Sequence, residues 1–195
     1  MVRGTTSKEI IQIDGIQIKT NLSPEEKKTV NELIRSFGAD EGSYRLDIKK
    51  NSKLEYDYQL ETRAGTASLE ARSFNGIVWG LHTLRQILSN QDSLELPLIK
   101  IIDSCTLEYR GLMIDLARHF HGPKQIKKIV ESMASYKMNR LQIGISNDEG
   151  WRLQILSIPE LTNIGSIRSH QQFNKFGERR ALSPAWGDSH CDTGG

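Results

Sequence analysis

The chain has 195 residues, enough for one ordinary domain or for a small domain followed by part of another. Hydrophobic residues at 37% and charged residues at 26% are typical of a soluble globular protein, and a net charge of +2 does not favour nucleic acid or an anionic membrane as partner. Neither a signal peptide nor an apolar run of roughly 18 residues, the length of a membrane-spanning helix, is visible.

The first elements of the chain are predicted from turn and capping residues. Alternating isoleucines on both sides of Asp14-Gly15, a dipeptide suited to a tight turn, predict an opening β-hairpin. Ser23-Pro24-Glu25-Glu26 combines a capping hydroxyl, a proline for the first helical position and a carboxylate for a capping box, so a helix begins there. Gly38 is placed to end it.

Strands and a second helix follow. Apolar residues alternate with polar ones over 44–48, 54–60 and 67–71, which predicts half-buried strands. Over 77–88 the apolar residues recur at helical spacing, and Gly76 and Gly80, one turn apart, suit a helix that lies close on a sheet. Residues 96–102 read as another apolar strand or a crossover.

The pattern changes after about residue 105. Residues 112–117 form a nearly continuous apolar run broken by Asp115, Gly122-Pro123 opens a helix, and residues 141–145 form another strand. This β-α-β order predicts a parallel sheet or barrel. From residue 149 the periodicity weakens, and the composition of residues 166–195 favours a long loop or disorder without a clear element.

Four ordered motifs in this second half resemble those of the family 20 glycoside hydrolases, the β-N-acetylhexosaminidases. They are Tyr-Arg-Gly-Leu-Met-Ile-Asp-Leu-Ala-Arg-His-Phe at 109–120, Met-Ala-Ser-Tyr-Lys-Met-Asn at 133–139, Asp-Glu-Gly-Trp-Arg at 148–152, and Ile-Pro-Glu-Leu-Thr from 158 with Gly165 and Arg168. Residues 76–86 resemble a helix of the family's accessory domain. The likeness covers roughly residues 10–170.

The resemblance implies two domains. Residues 8–105 are expected to form the α+β accessory domain, and residues 106–195 the truncated start of the catalytic domain, an incomplete (β/α)8 TIM-barrel segment. A full barrel takes about 250 residues, whereas 106–195 supplies only 90. Two or three βα units fit that length.

The resemblance also implies a function. Family members remove terminal N-acetylglucosamine or N-acetylgalactosamine from glycosides by substrate-assisted retaining catalysis, in which the substrate's acetamido oxygen attacks the anomeric carbon. The catalytic Asp and Glu lie in a Gly-Gly-Asp-Glu motif, which does not occur here, so no catalytic residue is assigned and the isolated chain is expected to be inactive.

Three further expectations concern the alternative function of the chain, its binding partners and its cellular compartment. A non-catalytic fragment, or a carbohydrate- or protein-binding module of hexosaminidase descent, is the alternative function, and a separate complementary chain is a further way to complete the barrel. The expected ligands are N-acetylhexosamine-terminated glycans. Family members are often periplasmic, secreted or lysosomal, but the compartment of this chain is not indicated by its sequence.

Several residues are candidates for the site. Arg110 matches the family arginine that binds sugar hydroxyls, and its planar fork of donors suits a vicinal diol; the alternative is a structural Arg paired with a barrel carboxylate. Asp115 and Arg118 could form an ion pair near the barrel mouth, and a structural role is favoured over direct contact with the sugar. Trp151 either packs under a loop or presents its ring to sugar.

The second barrel strand departs from the family pattern. The family reads His-x-His-x-x-Asp-Asp where this chain has Gln142, Gly144, Asn147 and Asp148. Asn147 keeps the shape of an aspartate without its charge, and Asp148 remains as a polar support. Two explanations stay open, a divergent branch with rearranged supporting residues and a sequence freed from selection for catalysis.

No cofactor or metal is predicted. His119 and His121 lack further ligands at a useful spacing. Cys105 and Cys191 are far apart in sequence and suggest neither a disulfide framework nor a metal-binding Cys-x-x-C.

Overall fold

The computed structural model describes residues 3–39, 42–88, 94–147, 150–167, 171–173 and 179–181. The chain forms two compact units. The first unit contains Met1–Glu108 and Ala134–Lys137, and the second contains Tyr109–Met133 and Met138–Gly195. Within the part that the structure describes, none of the helices combines the length and the hydropathy of a membrane-spanning segment.

The first unit is built on a six-stranded mixed sheet. Its strands lie in the order β1-β6-β4-β5-β3-β2. The pairs β2–β3 and β3–β5 are parallel, and the remaining pairs are antiparallel. In chain order the strands are β1 (Arg3–Ile13), β2 (Ile16–Thr20), β3 (Tyr44–Lys50), β4 (Tyr58–Arg63), β5 (Thr66–Ala71) and β6 (Leu94–Asp103).

Two helices accompany this sheet, α1 (Pro24–Arg35) and α2 (Phe74–Ile87). The capping box predicted for α1 is present, since the Glu26 N–H donates to Ser23 Oγ at 3.3 Å and the Ser23 N–H donates to Glu26 Oε2 at 3.1 Å. The close approach predicted for α2 is also confirmed. A Cβ on Gly76 would lie 2.4 Å from the carbonyl oxygen of Asp57, and one on Gly80 would lie 2.3 Å from Leu69 Cδ1.

The apolar sides of α1 and α2 and one face of the sheet form a single core. The alternation that predicted β3, β4 and β5 matches their burial, because Leu46, Leu60 and Leu69 are fully buried whereas their sequence neighbours are more exposed. Burying each leucine contributes roughly 1.5 to 3 kcal/mol. This core therefore stabilises the first unit.

The predicted opening hairpin is wrong. β1 and β2 are not hydrogen-bonded to each other and stand at opposite ends of the strand order. The turn residues between them bond instead to the chain that enters β3, where the Ser43 N–H donates to Asp14 Oδ1 at 2.8 Å and the Tyr44 N–H donates to the Gly15 carbonyl at 3.2 Å. The Asp-Gly dipeptide thus serves a long-range pairing, because a parallel partner for β2 outcompetes the local one.

The strand predicted over 54–60 begins later than expected, at Tyr58. Asp57, just before it, bonds to two other segments, the end of β6 with the residues after it and the residue that follows β5. Its N–H donates to the Asp103 carbonyl at 3.1 Å, and its carboxylate accepts from the Cys105 N–H at 2.8 Å and from Arg72 Nη2 at 2.7 Å. Those bonds hold the chain in a bend before the ladder starts.

A polar cluster is enclosed in the first unit. The Tyr58 hydroxyl donates to Asp103 Oδ2 at 2.8 Å, accepts from Lys137 Nζ at 2.7 Å and lies 2.8 Å from Thr83 Oγ1. Lys137 Nζ also donates to Asp103 Oδ2 at 2.8 Å. Lys137 has φ 59, a left-handed conformation that costs a non-glycine residue about 1 to 2 kcal/mol.

The second unit contains the predicted β-α-β sequence. β7 (Gly111–Asp115) pairs in parallel with β8 (Arg140–Gly144), and α3 (Pro123–Ser135) lies between them in the chain. The short helix α4 (Glu160–Asn163) follows. In the tail, where no clear element was expected, β9 (Gln171–Phe173) and β10 (Arg179–Ala181) form an antiparallel pair. Cys191 and Arg168 lie outside the described residues.

Candidate functional site at the carboxyl ends of β7 and β8

The polar residues of the second unit gather at one edge of the parallel strand pair. Asp115 is the last residue of β7 and stands opposite Gly144, the last residue of β8. Because parallel strands end at the same edge of a sheet, the loops that follow them lie side by side. These loops carry Arg118 and Asn147, and such an edge is where barrel enzymes place their sites.

Asp115 is the centre of this group. Its Oδ1 accepts from the N–H groups of Ala117 at 3.0 Å and Arg118 at 3.1 Å. Its Oδ2 accepts from Asn147 Nδ2 at 3.0 Å and from Arg118 Nη1, so the predicted Asp115–Arg118 ion pair is present. The Arg118 N–H is the largest of the interactions that hold the pKa of Asp115 below its ordinary value. At neutral pH Asp115 is therefore an ionised acceptor that organises its loop.

Gly144 leaves the space beside Asp115 without a side chain from β8. A Cβ at position 144 would lie 3.5 Å from Asp115 Cα and 3.6 Å from its Cγ, an ordinary contact distance. A longer side chain there would start directly against the carboxylate. In its absence, Asn147 reaches the carboxylate from three residues further along the chain.

Arg152 is a residue of this region that the sequence analysis did not single out. The residue is only 8% exposed, and its guanidinium donates to the carbonyls of Leu116 at 2.8 Å, Ala117 at 3.4 Å and Ser166 at 2.6 Å. It also lies over the Phe120 ring, 5.2 Å from the centroid. The only sequence signal was its place in the Asp-Glu-Gly-Trp-Arg motif, which could not reveal carbonyl partners in a distant loop.

The loop around Trp151 is tightly fitted. Gly150 has φ 77, and a Cβ there would lie 2.4 Å from the Ala117 carbonyl oxygen, so only glycine fits without strain. The Trp151 N–H donates to the Gly165 carbonyl at 2.8 Å, and its indole N–H donates to the Leu153 carbonyl. The indole nitrogen thus serves the loop itself, while a sugar contact of the ring stays a prediction. Asp148 lies outside the described residues.

Arg110 lies at the other end of β7. Its N–H donates to Asn139 Oδ1 at 3.0 Å, and its carbonyl accepts from the Asn139 N–H at 2.9 Å. The residue is half-buried and its Nη2 atom is buried. Asp115 lies five residues further along the chain, about 16 Å away at the usual rise of a strand. The structure therefore brings Asp115, Arg118 and Asn147 together and does not bring Arg110 into that group.

The two histidines of the β7 loop touch each other. The rings of His119 and His121 meet edge to face with centroids 4.9 Å apart. Among the residues that the structure describes, His, Cys, Asp and Glu side chains do not form a group of three able to hold a metal ion.

A parallel β-α-β unit with polar residues at the carboxyl ends of its strands, preceded by a domain of mixed sheet and helices, is typical of proteins with an α/β domain, which place their sites at that edge. Comparison with known families gives the particular class. The profile described as Glycosyl hydrolase family 20, domain 2, matches residues 5–104, and the profile of the family's catalytic domain matches residues 107–186. The chain belongs to glycosyl hydrolase family 20.

Individual relatives agree with this assignment. The chain is 39% identical over 144 residues to a β-hexosaminidase of Vibrio furnissii, covering 73% of this chain and 24% of the relative. It is 34% identical over 140 residues to β-hexosaminidase B of Pseudoalteromonas piscicida, covering 72% and 18%. The chain thus spans about a quarter or less of the length of these two relatives.

Solved structures show the same likeness. An exo-β-N-acetylglucosaminidase of Vibrio harveyi in complex with N-acetylglucosamine matches with a TM-score of 0.73 and 29% identity, over 92% of this chain and 30% of the other. A β-hexosaminidase of Streptomyces plicatus matches with a TM-score of 0.71 and 25% identity, over 87% and 38%. The fold is therefore that of domain 2 together with the start of the catalytic domain.

Proposed function

We propose that this chain is part of a β-N-acetylhexosaminidase that removes terminal N-acetylglucosamine or N-acetylgalactosamine from glycosides. One observation carries the proposal: in the segment that matches the catalytic domain, the polar cluster of Asp115, Arg118 and Asn147 lies at the carboxyl ends of two parallel strands. That edge is where a barrel of this architecture performs its chemistry.

The proposed domains are the accessory domain at 8–105 and the start of a (β/α)8 barrel at 106–195. Exposed apolar side chains support the barrel. Leu112 and Met113 on β7 are 38% and 57% exposed, and Ile143 and Ile145 on and after β8 are 41% and 36% exposed. Strands of a closed parallel barrel are covered on both faces, so these side chains fit contacts with further strands and helices, supplied by more of the same polypeptide or by a complementary chain.

The proposed chemistry is substrate-assisted retaining hydrolysis, and no residue of this chain is assigned a catalytic role. The acid that protonates the glycosidic oxygen and the Asp that orients the acetamido group would come from the rest of the barrel. What this segment contributes is the edge that receives the sugar. Asp115, Arg118, Asn147, Asp148 and Trp151 are proposed as supporting residues of that edge.

Arg110 is proposed as a substrate-binding residue that donates to sugar hydroxyls. Its main chain makes two hydrogen bonds with Asn139, which fix the backbone that carries the side chain, and its Nη2 atom is buried. The rival role is a structural pairing with a barrel carboxylate. Arg110 stands at the amino end of β7, about 16 Å along the strand from Asp115, so a sugar contact requires its long side chain to reach towards the carboxyl ends of the strands.

A chimera tests the function. This chain would replace the aligned segment of the Vibrio furnissii β-hexosaminidase, and release of p-nitrophenol from the N-acetylglucosaminide and the N-acetylgalactosaminide would be measured. We expect turnover by the chimera and none by the 195-residue chain alone. Arg110→Ala in the chimera should lower kcat/KM roughly 10- to 150-fold, the value of a hydrogen bond to a charged group, whereas the control Lys127→Ala on the exposed side of α3 should not.

The same assay separates the alternatives. A folded chimera without activity, combined with binding of N-acetylglucosamine to the 195-residue chain, would favour the non-catalytic module. Turnover by the 195-residue chain alone, lost on Arg110→Ala, would contradict the assignment of the catalytic acids to the missing part. Circular dichroism of each variant establishes that the chimera is folded.

A further inference from the structure

Asn147 is used in this structure in a way that an aspartate could not be. Its side-chain Nδ2 donates to Asp115 Oδ2 at 3.0 Å. An amide has two N–H donors, whereas an ionised carboxylate only accepts. The pattern that this strand resembles has an aspartate at the corresponding position, and a carboxylate there would face Asp115 with acceptor against acceptor. The exchange of aspartate for asparagine thus turns a repulsive pair into a hydrogen bond.

Two departures from that pattern meet at the same carboxylate. Gly144 lies directly opposite Asp115 in the register, and a side chain at that position would begin 3.6 Å from the Asp115 Cγ. Glycine supplies no donor there, whereas the Asn147 side chain supplies one.

The bond to Asn147 influences more than Asp115. The same carboxylate accepts from the main-chain N–H groups of Ala117 and Arg118 and pairs with the Arg118 side chain. The opposite side of this turn is held by Arg152, which donates to the Leu116 and Ala117 carbonyls. The turn is therefore held on both sides, and the position of Asp115 decides where Arg118 stands.

We propose that Asn147 is a positioning residue, whose amide holds the Asp115 carboxylate and thereby orients the turn that presents Arg118 at the carboxyl ends of β7 and β8. The importance of that edge for a glycoside substrate rests on the proposed function. The contact itself does not, and it is tested separately.

The contact is tested by titrating the aspartate carboxyl carbons of the 195-residue chain by NMR, with the Asp115 signal assigned from Asp115→Asn. In Asn147→Asp the two carboxylates share one site and titrate in two coupled steps, one of them above the ordinary aspartate pKa. Arg118 is the charged side chain that faces them in the described structure. The control Asn163→Asp, which adds the same charge at an exposed position of α4, should add one ordinary step.

Exchanging the two side chains gives the second test. Asp115→Asn with Asn147→Asp restores one donor opposite one acceptor, so it should fold and titrate with a single lowered aspartate pKa even where Asn147→Asp alone unfolds the second unit. An Asp115 signal that titrates in Asn147→Asp as it does in Asn163→Asp would overturn the proposal. So would a double variant that is no better folded than Asn147→Asp.

The effect on catalysis is measured in the active chimera. Asn147→Asp should lower kcat/KM at neutral pH at least tenfold, recover part of it as the pH falls and the new carboxyl is protonated, and regain most of it in the double variant. An inactive but folded chimera would refute the proposed function and leave the titration to decide the contact. A pH profile unchanged by Asn147→Asp would refute the positioning role.

Discussion

Replacement of Lys137 by methionine removes the cation from the enclosed cluster of the first unit at nearly constant side-chain volume. The ammonium donates to Asp103 Oδ2 at 2.8 Å and to the Tyr58 hydroxyl at 2.7 Å, and the two ionic side chains are 22% and 10% exposed. Breaking one side of a fully buried pair costs about 3 to 5 kcal/mol. Since Lys137 keeps some solvent contact, we expect a loss of about 2 to 3 kcal/mol in the free energy of unfolding.

The loss of unfolding free energy in Lys137→Met should depend on pH, both in acid and in alkali. Burial by itself would raise the pKa of Asp103, but hydrogen bonds from Lys137 and Tyr58 outweigh it and leave that pKa below 3.8. A lowered carboxyl pKa contributes stability above the unfolded value and loses it as the pH falls. Burial would lower the pKa of Lys137, and its bonds to Asp103 and Tyr58 raise it above 10.5. The difference between wild type and variant should therefore fade in strong acid and in strong alkali.

Urea unfolding followed by Trp79 fluorescence measures this effect, with Trp151 and Trp186 replaced by phenylalanine so that Trp79 in α2 alone reports. Lys127→Met on the exposed side of α3 is the matched control for the lost charge. The double variant Lys137→Met with Asp103→Asn should lose less unfolding free energy than the two single variants lose together. The difference should be at least about 1 kcal/mol. A single variant within about 0.5 kcal/mol of the control, or additive single changes, would refute the pairing.

Two further predictions concern the first unit. His82 is 4% exposed, and burial, helped by the charges of Arg85 and Lys137, lowers its pKa below 6.5, so protonation must destabilise the fold as the pH drops below that value. Between pH 6.5 and pH 5 the free energy of unfolding of the wild type should therefore decrease, and His82→Leu should remove up to about 2 kcal/mol of that decrease. Thermal unfolding measured over this pH range tests it, and a variant whose stability falls with pH as steeply as that of the wild type would contradict it. Gly76→Ala should destabilise by about 1 to 3 kcal/mol, because its Cβ would lie 2.4 Å from a main-chain oxygen. Gly122→Ala, where nothing lies within 4 Å, is the control, and equal melting temperatures for the two would exclude the close contact.

Elements with strong local signals could be predicted closely. The capping box at Ser23 and Glu26 and the opening of α3 at Pro123 each depend on residues within one helical turn, and both helices begin where expected. The parallel pairing of β7 and β8 followed from a helix between two apolar runs, since such a connection requires it. The opening hairpin failed because Asp14 and Gly15 find their partners near residue 43, which no local pattern reveals.

The candidate site was predictable only in part. Asp115 and Arg118 are three residues apart, and their ion pair follows from that spacing at the end of a strand. Arg152 was missed because its partners are main-chain carbonyls, which every residue has and no sequence pattern marks. The substrate contact of Arg110 stays a prediction, and its place just before β7 puts a strand length between its main chain and that of Asp115.

By itself, the sequence determined the family, the α+β character of the first half and the β-α-β order of the second, because these depend on hydrophobic period, capping residues and ordered motifs. The tertiary structure alone decided which strands are neighbours, that Asn147 is a donor to Asp115, and that Lys137 is paired inside the first unit. The physical reason is sequence distance. Asn147 and Asp115 are 32 residues apart, and Lys137 and Asp103 are 34 apart, so folding alone brings each pair within hydrogen-bonding distance.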